Sequence, residues 1–149
     1  ARVMSLAAPS RKMSKSDENP NAFVTMSDDR DTVLRKFKRA VTDSDAEVRY
    51  DPENKPGVSN LLTIYCAFTG REMAEAEREF AGKGYGDFKL AVGEAVADVL
   101  DPIRAEKARL LADKGYLNAV MKRGEEAAAR IARRTLSKVY RKVGFYAGE

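Results

Sequence analysis

The 149-residue chain has no histidine and a single cysteine. That pairing leaves no donor set for a structural zinc site, and no metal ligand is assigned. Cys66 has no partner for an intramolecular disulfide. It lies inside the apolar run from Leu61 to Phe68, the setting of a small core residue rather than of a redox or nucleophilic thiol. No apolar stretch is long enough to cross a bilayer and no charged-then-apolar leader opens the sequence, so a cytoplasmic protein with no membrane contact is expected. Internal repeats and low-complexity segments are missing too. What is present, 44% hydrophobic and 34% charged residues, suits a helix-rich globular protein large enough for one ordinary domain. The net charge of +4 is mild but unevenly spread. Lys122, Arg123, Arg130, Arg133, Arg134, Lys138, Arg141 and Lys142 face only Glu125 and Glu126 in the same stretch, a pattern that favours polyanions.

Apolar periodicity outlines a mainly α fold, a bundle of about five helices preceded by a short strand and a loop. Arg2-Val3-Met4-Ser5-Leu6 reads as an interior strand stopped by Pro9, and Ser10 to Asn21 as polar loop closed by Pro20. Ala22 to Met26 reads as a brief strand or an extended connector. Asp28 and Asp29 then mark a helix start, with Val33, Leu34, Phe37 and Val41 on the inner face and an end near Thr42-Asp43-Ser44. Arg30, Arg35, Lys36, Lys38 and Arg39 occupy the outer face. The polar stretch from Ala46 to Asn54 has Tyr50 as its anchor, and Pro56-Gly57 announces the next helix.

Val58 to Thr69 is apolar nearly all round, which marks the centre of the core, and Gly70 stops it. Arg71 to Phe80 gives a short charged helix. Gly82-Lys83-Gly84-Tyr85-Gly86 lacks the spacing of a nucleotide fingerprint and reads as a helix end and a tight turn. A long helix from Phe88 to Ala112 carries Phe88, Val92, Val96, Val99, Leu100 and Ile103 on one side, with Pro102 expected to kink or restart it. After Gly115 a last helix reaches Val143 with Val120, Ile131, Leu136, Val139 and Val143 in its apolar stripe.

Lys12-Met13-Ser14-Lys15-Ser16 carries the most chemistry. Ammonium groups, serine hydroxyls and loop N–H groups at this spacing can close around a polyphosphate. All five letters match the KMSKS signature of class I aminoacyl-tRNA synthetases. Around it, Arg2-Val3-Met4-Ser5-Leu6, Asp28-Asp29, Ala40 to Ser44, Lys55 to Leu62 and Gly82 to Gly86 stand in the order and spacing that resemble the C-terminal half of bacterial tryptophanyl-tRNA synthetases. The likeness is clearest from Arg2 to Phe88. The His-Ile-Gly-His type motif of that family belongs to a first half that is not in this chain.

The resemblance implies that residues 1–20 are the end of a Rossmann-like nucleotide-binding domain and that residues 21–149 form a helical, anticodon-binding C-terminal domain. It implies ATP, carried with Mg2+, as substrate and no tightly bound cofactor. Lys15 and then Lys12 become the catalytic candidates, with Ser14 and Ser16 holding phosphate oxygens, Met13 packing near the adenine, and Val3 holding the adenine edge through its backbone. Tryptophan and tRNA(Trp) are the implied partners, the full-length enzyme is a homodimer, and a fragment lacking the first half is inactive alone. Candidate tRNA phosphate contacts are Arg35, Lys36, Arg39, Arg130, Arg133 and Arg134. A stand-alone helical RNA-binding module and a fragment of a tyrosyl-type synthetase are the alternatives, and a helical protein-binding scaffold would leave the loop unexplained.

Overall fold

The structure, a computed structural model, describes residues 2–146. Five helices follow one another: α1 (Arg30–Lys38), α2 (Pro56–Thr69), α3 (Met73–Phe80), α4 (Tyr85–Ala112) and α5 (Lys114–Val143). The chain divides into two compact units, Ala1–Ala105 and Glu106–Glu149. Among the described residues there is no strand. The segment expected to be one, Arg2 to Leu6, makes a single antiparallel bridge, Met4 to Lys12. A strand needs a ladder of neighbours on its edge, and this one has only a short return segment and a side chain beside it.

In the first unit the core is organised by α2. Pro56 at its first turn needs no N–H partner, and Gly70 closes it in the left-handed region at φ 72° with its N–H on the Cys66 carbonyl. Val58, Leu61, Leu62, Ile64 and Tyr65 are buried. Phe80 from α3 sits edge-on between Tyr65 and Phe88, at 5.1 and 4.9 Å between ring centroids, linking three helices by aromatic contact. Ala67 and Phe68 at the end of α2 are exposed, so the helix is enclosed through most of its length but not at its C-terminal turn. Gly57 is required by packing: a Cβ there would meet the Val41 carbonyl oxygen at 2.2 Å.

α1 begins as expected, with the Asp29 side chain accepting from the Thr32 N–H. It ends at Lys38, earlier than its apolar spacing suggested, because the Val41 N–H leaves the helix to bind the Leu6 carbonyl at 2.8 Å. Val41 is accordingly exposed. Lys36, placed on the outer face by periodicity, is instead buried, its Nζ 2.6 Å from Asp28 and over the Phe23 ring. Arg30 reaches Asp98 and Asp101 on α4 at 2.7 and 2.9 Å.

The connector from Ala40 to Asn54 is held by Val48, which is buried, rather than by the exposed Tyr50. Lys55, with its side chain only 3% exposed, binds Asp43 at 3.2 Å and Asp45 at 2.7 Å. Tyr85, at the start of α4, donates to Asp43 at 2.5 Å and so draws the helix start ahead of the expected Phe88. The Asp45 contact foremost, opposed by desolvation and aided by Tyr85 and Asp43, raises the Lys55 pKa. On α4, Phe88, Val92, Val96 and Leu100 are buried as expected, while Val99 and Ile103 are exposed. The helix runs without a break through Pro102.

Candidate nucleotide-binding loop

The segment Arg2 to Leu6 runs between two supports. On one edge the Asn60 carboxamide takes both backbone groups of Met4: the Met4 N–H donates to Oδ1 and Nδ2 donates to the Met4 carbonyl, each at 2.9 Å. On the other edge the Met13 N–H donates to the Val3 carbonyl at 3.1 Å and the Ser5 N–H donates to the Arg11 carbonyl at 2.8 Å. The return between them is tight. Ser5, 1% exposed, accepts from the Ala7 and Ala8 N–H groups, and the Arg11 N–H closes on the Ala8 carbonyl. Leu6 then ties the segment to the connectors on either side of α1, donating to the Ala22 carbonyl and accepting from the Val41 N–H.

Beyond Met13 the chain turns on its own side chains. The Ser14 hydroxyl accepts from the Ser16 N–H and lies 3.0 Å from the Ser16 hydroxyl, and the Asp17 N–H reaches the Ser14 carbonyl. Such short-range bonds from small polar side chains replace helix or strand pairing and leave the turn exposed. Lys12, Ser14, Lys15 and Ser16 are all exposed. Among the described residues neither Lys12 nor Lys15 makes a side-chain hydrogen bond or ion pair. Both ammonium groups are therefore available to a ligand.

Of the residues singled out from sequence, Val3, Lys12 and Met13 line one shallow cleft together with Arg2. Val3 and Met13 are half-buried and also pack on the core, where a nearly all-apolar cavity of about 250 Å³ includes Val24, Phe37 and Ile64. Met13 is thus the point at which the polar loop is fastened to the hydrophobic interior. Lys15, Ser14 and Ser16 sit on the adjoining turn rather than in the cleft lining. Sequence reasoning passed over Arg2 and Asn60. The signal for Asn60 was there: Ser59 and Asn60 are a polar pair inside an otherwise apolar helix, and both are buried.

The basic residues fall on both units. Arg35 and Arg39 are exposed, whereas Lys36 is withdrawn from the candidate RNA contacts because Asp28 and the core enclose it. Burial pushes the Asp28 carboxyl up, but Lys36 and the Thr25 N–H and hydroxyl together hold it below its ordinary 3.8. On α5 the basic residues from Lys122 to Lys142 are all exposed and, among the described residues, unpaired. Helical geometry places Arg123, Arg130, Arg134 and Arg141 within about 40° of one another, a row about 27 Å long.

The apolar stripe expected on α5 is present but not enclosed: none of its described residues is buried, and Ile131 is 68% exposed. The other helical segment of that unit, the end of α4 from Glu106 to Ala112, is too short to cover a 30-residue helix. Among the described residues no helix is long and apolar enough to cross a membrane.

The loop is thus held by a short hairpin, bears two unpaired ammonium groups and is fastened to a helical body. The chain belongs to the family described as tRNA synthetases class I (W and Y), whose pattern matches residues 1–101. Relatives within it include tryptophan–tRNA ligases. The tryptophan–tRNA ligase of Halalkalibacterium halodurans is 46% identical over 144 residues, and that of Oceanobacillus iheyensis is 47% identical over the same length. Each match covers 97% of this chain, which in turn spans 43% and 44% of those two relatives. The crystal structure of tryptophanyl-tRNA synthetase from Campylobacter jejuni complexed with ADP and tryptophan superposes with a TM-score of 0.78 at 27% identity, covering 97% of this chain and 44% of that one. The enzyme from Mycoplasma pneumoniae gives 0.68 at 30% identity with the same coverage.

Proposed function

We propose that the chain is the C-terminal portion of a cytoplasmic tryptophan–tRNA ligase, which joins tryptophan to ATP as tryptophanyl-adenylate and passes the amino acid to tRNA(Trp). The observation that carries this reading is the gathering of Val3, Lys12 and Met13 in one cleft beside the exposed, unpaired Lys15. Residues 1–20 are then the end of a nucleotide-binding domain, and residues 21–149 are the helical domain that meets the anticodon. The tryptophan pocket belongs to the remainder of the enzyme, which works as a homodimer.

In the activation step the tryptophan carboxylate attacks the α-phosphate of ATP, and negative charge grows on the departing pyrophosphate. Lys15, with Lys12 second, meets that charge as it develops, which stabilises the transition state more than bound ATP. The Ser14 and Ser16 hydroxyls turn from each other to the phosphate oxygens. Met13 holds the base of the loop in the core, and Val3 offers backbone groups to the adenine edge. Mg2+ arrives with the nucleotide. The arginine row on α5 suits RNA phosphates, where positioning contacts carry no sequence information.

The test is ATP–pyrophosphate exchange dependent on tryptophan. The 149-residue chain alone is expected to show none, and exchange should appear when it is combined with the complementary part of the enzyme. In that assembly Lys15→Ala should lower the exchange rate about 100- to 1000-fold with little change in tRNA affinity. An unchanged rate would overturn the role of the loop.

A further inference from the structure

Asn60 is 5% exposed on α2, and its carboxamide spends its Oδ1 and one Nδ2 proton on the two backbone groups of Met4, a residue 56 positions away. A carboxamide offers an acceptor and a donor side by side without carrying charge, the pair a neighbouring strand would present. In an extended segment the backbone groups of successive residues face opposite edges. With the Met4 pair committed to Asn60, Val3 and Ser5 must face the other way, and that is where they hold Met13 and Arg11. A slip of one residue would present Val3 or Ser5 to Asn60 and release the return segment.

The neighbouring Ser59 does the same for a second loop, its hydroxyl accepting from the Asp51 N–H at 2.8 Å. Two consecutive buried polar residues of the core helix therefore fix two separate loops, and neither is explained by core packing. We propose that Asn60 is a positioning residue for the Lys12–Ser16 loop: by holding both backbone groups of Met4 it sets the register in which Val3 and Ser5 carry the loop, and so the place of Lys12 and Lys15. Its functional consequence rests on the nucleotide reading above; its geometric consequence does not.

Asn60→Leu keeps the number and branching of the side-chain heavy atoms and removes both hydrogen bonds. Asn60→Asp keeps the acceptor for the Met4 N–H but sets an oxygen against the Met4 carbonyl. In the isotope-labelled 149-residue chain, amide hydrogen exchange at Met4, Ser5 and Met13 should accelerate about tenfold or more in Asn60→Leu, with core amides such as Leu62 and Val92 unchanged. Asn60→Asp should fall between. In the assembled enzyme Asn60→Leu should lower the turnover of pyrophosphate exchange about tenfold and leave the KM for tryptophan unaltered, a split that general unfolding would not give. Unaltered protection of Ser5 and Met13 in Asn60→Leu would overturn the proposal. So would side-chain amide protons of Asn60 that exchange freely in the wild type, a measurement that decides the matter even if neither variant folds. Lys15→Ala in the same assay tells the two readings apart: full activity there, with protection lost in Asn60→Leu, would remove the nucleotide role and leave the positioning role standing.

Discussion

Replacing Gly57 by alanine tests the packing that joins α2 to the loop-bearing segment. The added Cβ would sit 2.2 Å from the Val41 carbonyl oxygen and 3.3 Å from the Thr42 Cα, both backbone atoms with no rotamer through which to withdraw. Relief requires a shift of the Val41–Thr42 backbone, and the Val41 N–H is the donor that holds the Leu6 carbonyl. Two effects oppose each other. Alanine in a helix is favoured over glycine by about 1 kcal/mol, whereas forcing a methyl into a filled site costs about 1–3 kcal/mol and more when backbone must move. The clash should win, for a net loss of about 2 kcal/mol. Thermal unfolding followed by circular dichroism should show a Tm lower by about 4–8 °C for a chain of this size. Gly124 provides the matched control. It lies within α5, and a methyl group there would find nothing within 4 Å, so Gly124→Ala should raise stability by up to about 1 kcal/mol. Equal, positive shifts for both substitutions would refute the packing argument and leave helix propensity as the sole effect.

Lys36→Met should destabilise by about 2–3 kcal/mol, because it strands the half-enclosed Asp28 carboxylate; chemical denaturation of the single variant and of Asp28→Asn/Lys36→Met, which should recover part of the loss, measures it. Asp28 has its pKa lowered in the folded state, so its contribution is fully present above about pH 4 and is lost as pH falls through the lowered value. Lys36→Met should therefore flatten the fall in stability between neutral and acid pH, and an unaltered acid profile would contradict the pairing. On α5, the triple change Arg130→Ala, Arg134→Ala and Arg141→Ala should weaken RNA binding and reduce the slope of log affinity against log salt by about 2, read by fluorescence anisotropy at several salt concentrations. A slope that does not move would place the RNA elsewhere.

The helices were legible where side chains alternate cleanly between water and core, and their ends were legible where a residue has a local reason to stop. Pro56 and Gly70 bracket α2 as their chemistry demands. The end of α1 was not legible, since it is set by a bond from Val41 to Leu6, a residue distant in sequence. Lys36 shows the same limit for burial: a lysine on a charged stripe reads as solvated until Asp28 and Phe23 are seen to enclose it. Val48 displaced Tyr50 as anchor because the Tyr50 backbone is held from the surface, its N–H on Glu77 at 2.6 Å. The expected strand shrank to one bridge because pairing depends on neighbours outside the segment. For the candidate site, the loop letters pointed to candidate residues but not to what supports them. Asn60 is invisible to periodicity, because what matters is which backbone it meets.

That support has a property the two lysines lack. Carboxamides do not ionise, and a bond between neutral dipoles is hardly altered by dissolved salt. In the proposed role, the grip of Lys12 and Lys15 on an anion would be governed by ionic strength, while the Asn60 contact that positions them would be indifferent to it. Changes in cellular ion content would then alter how firmly the anion is held without altering where.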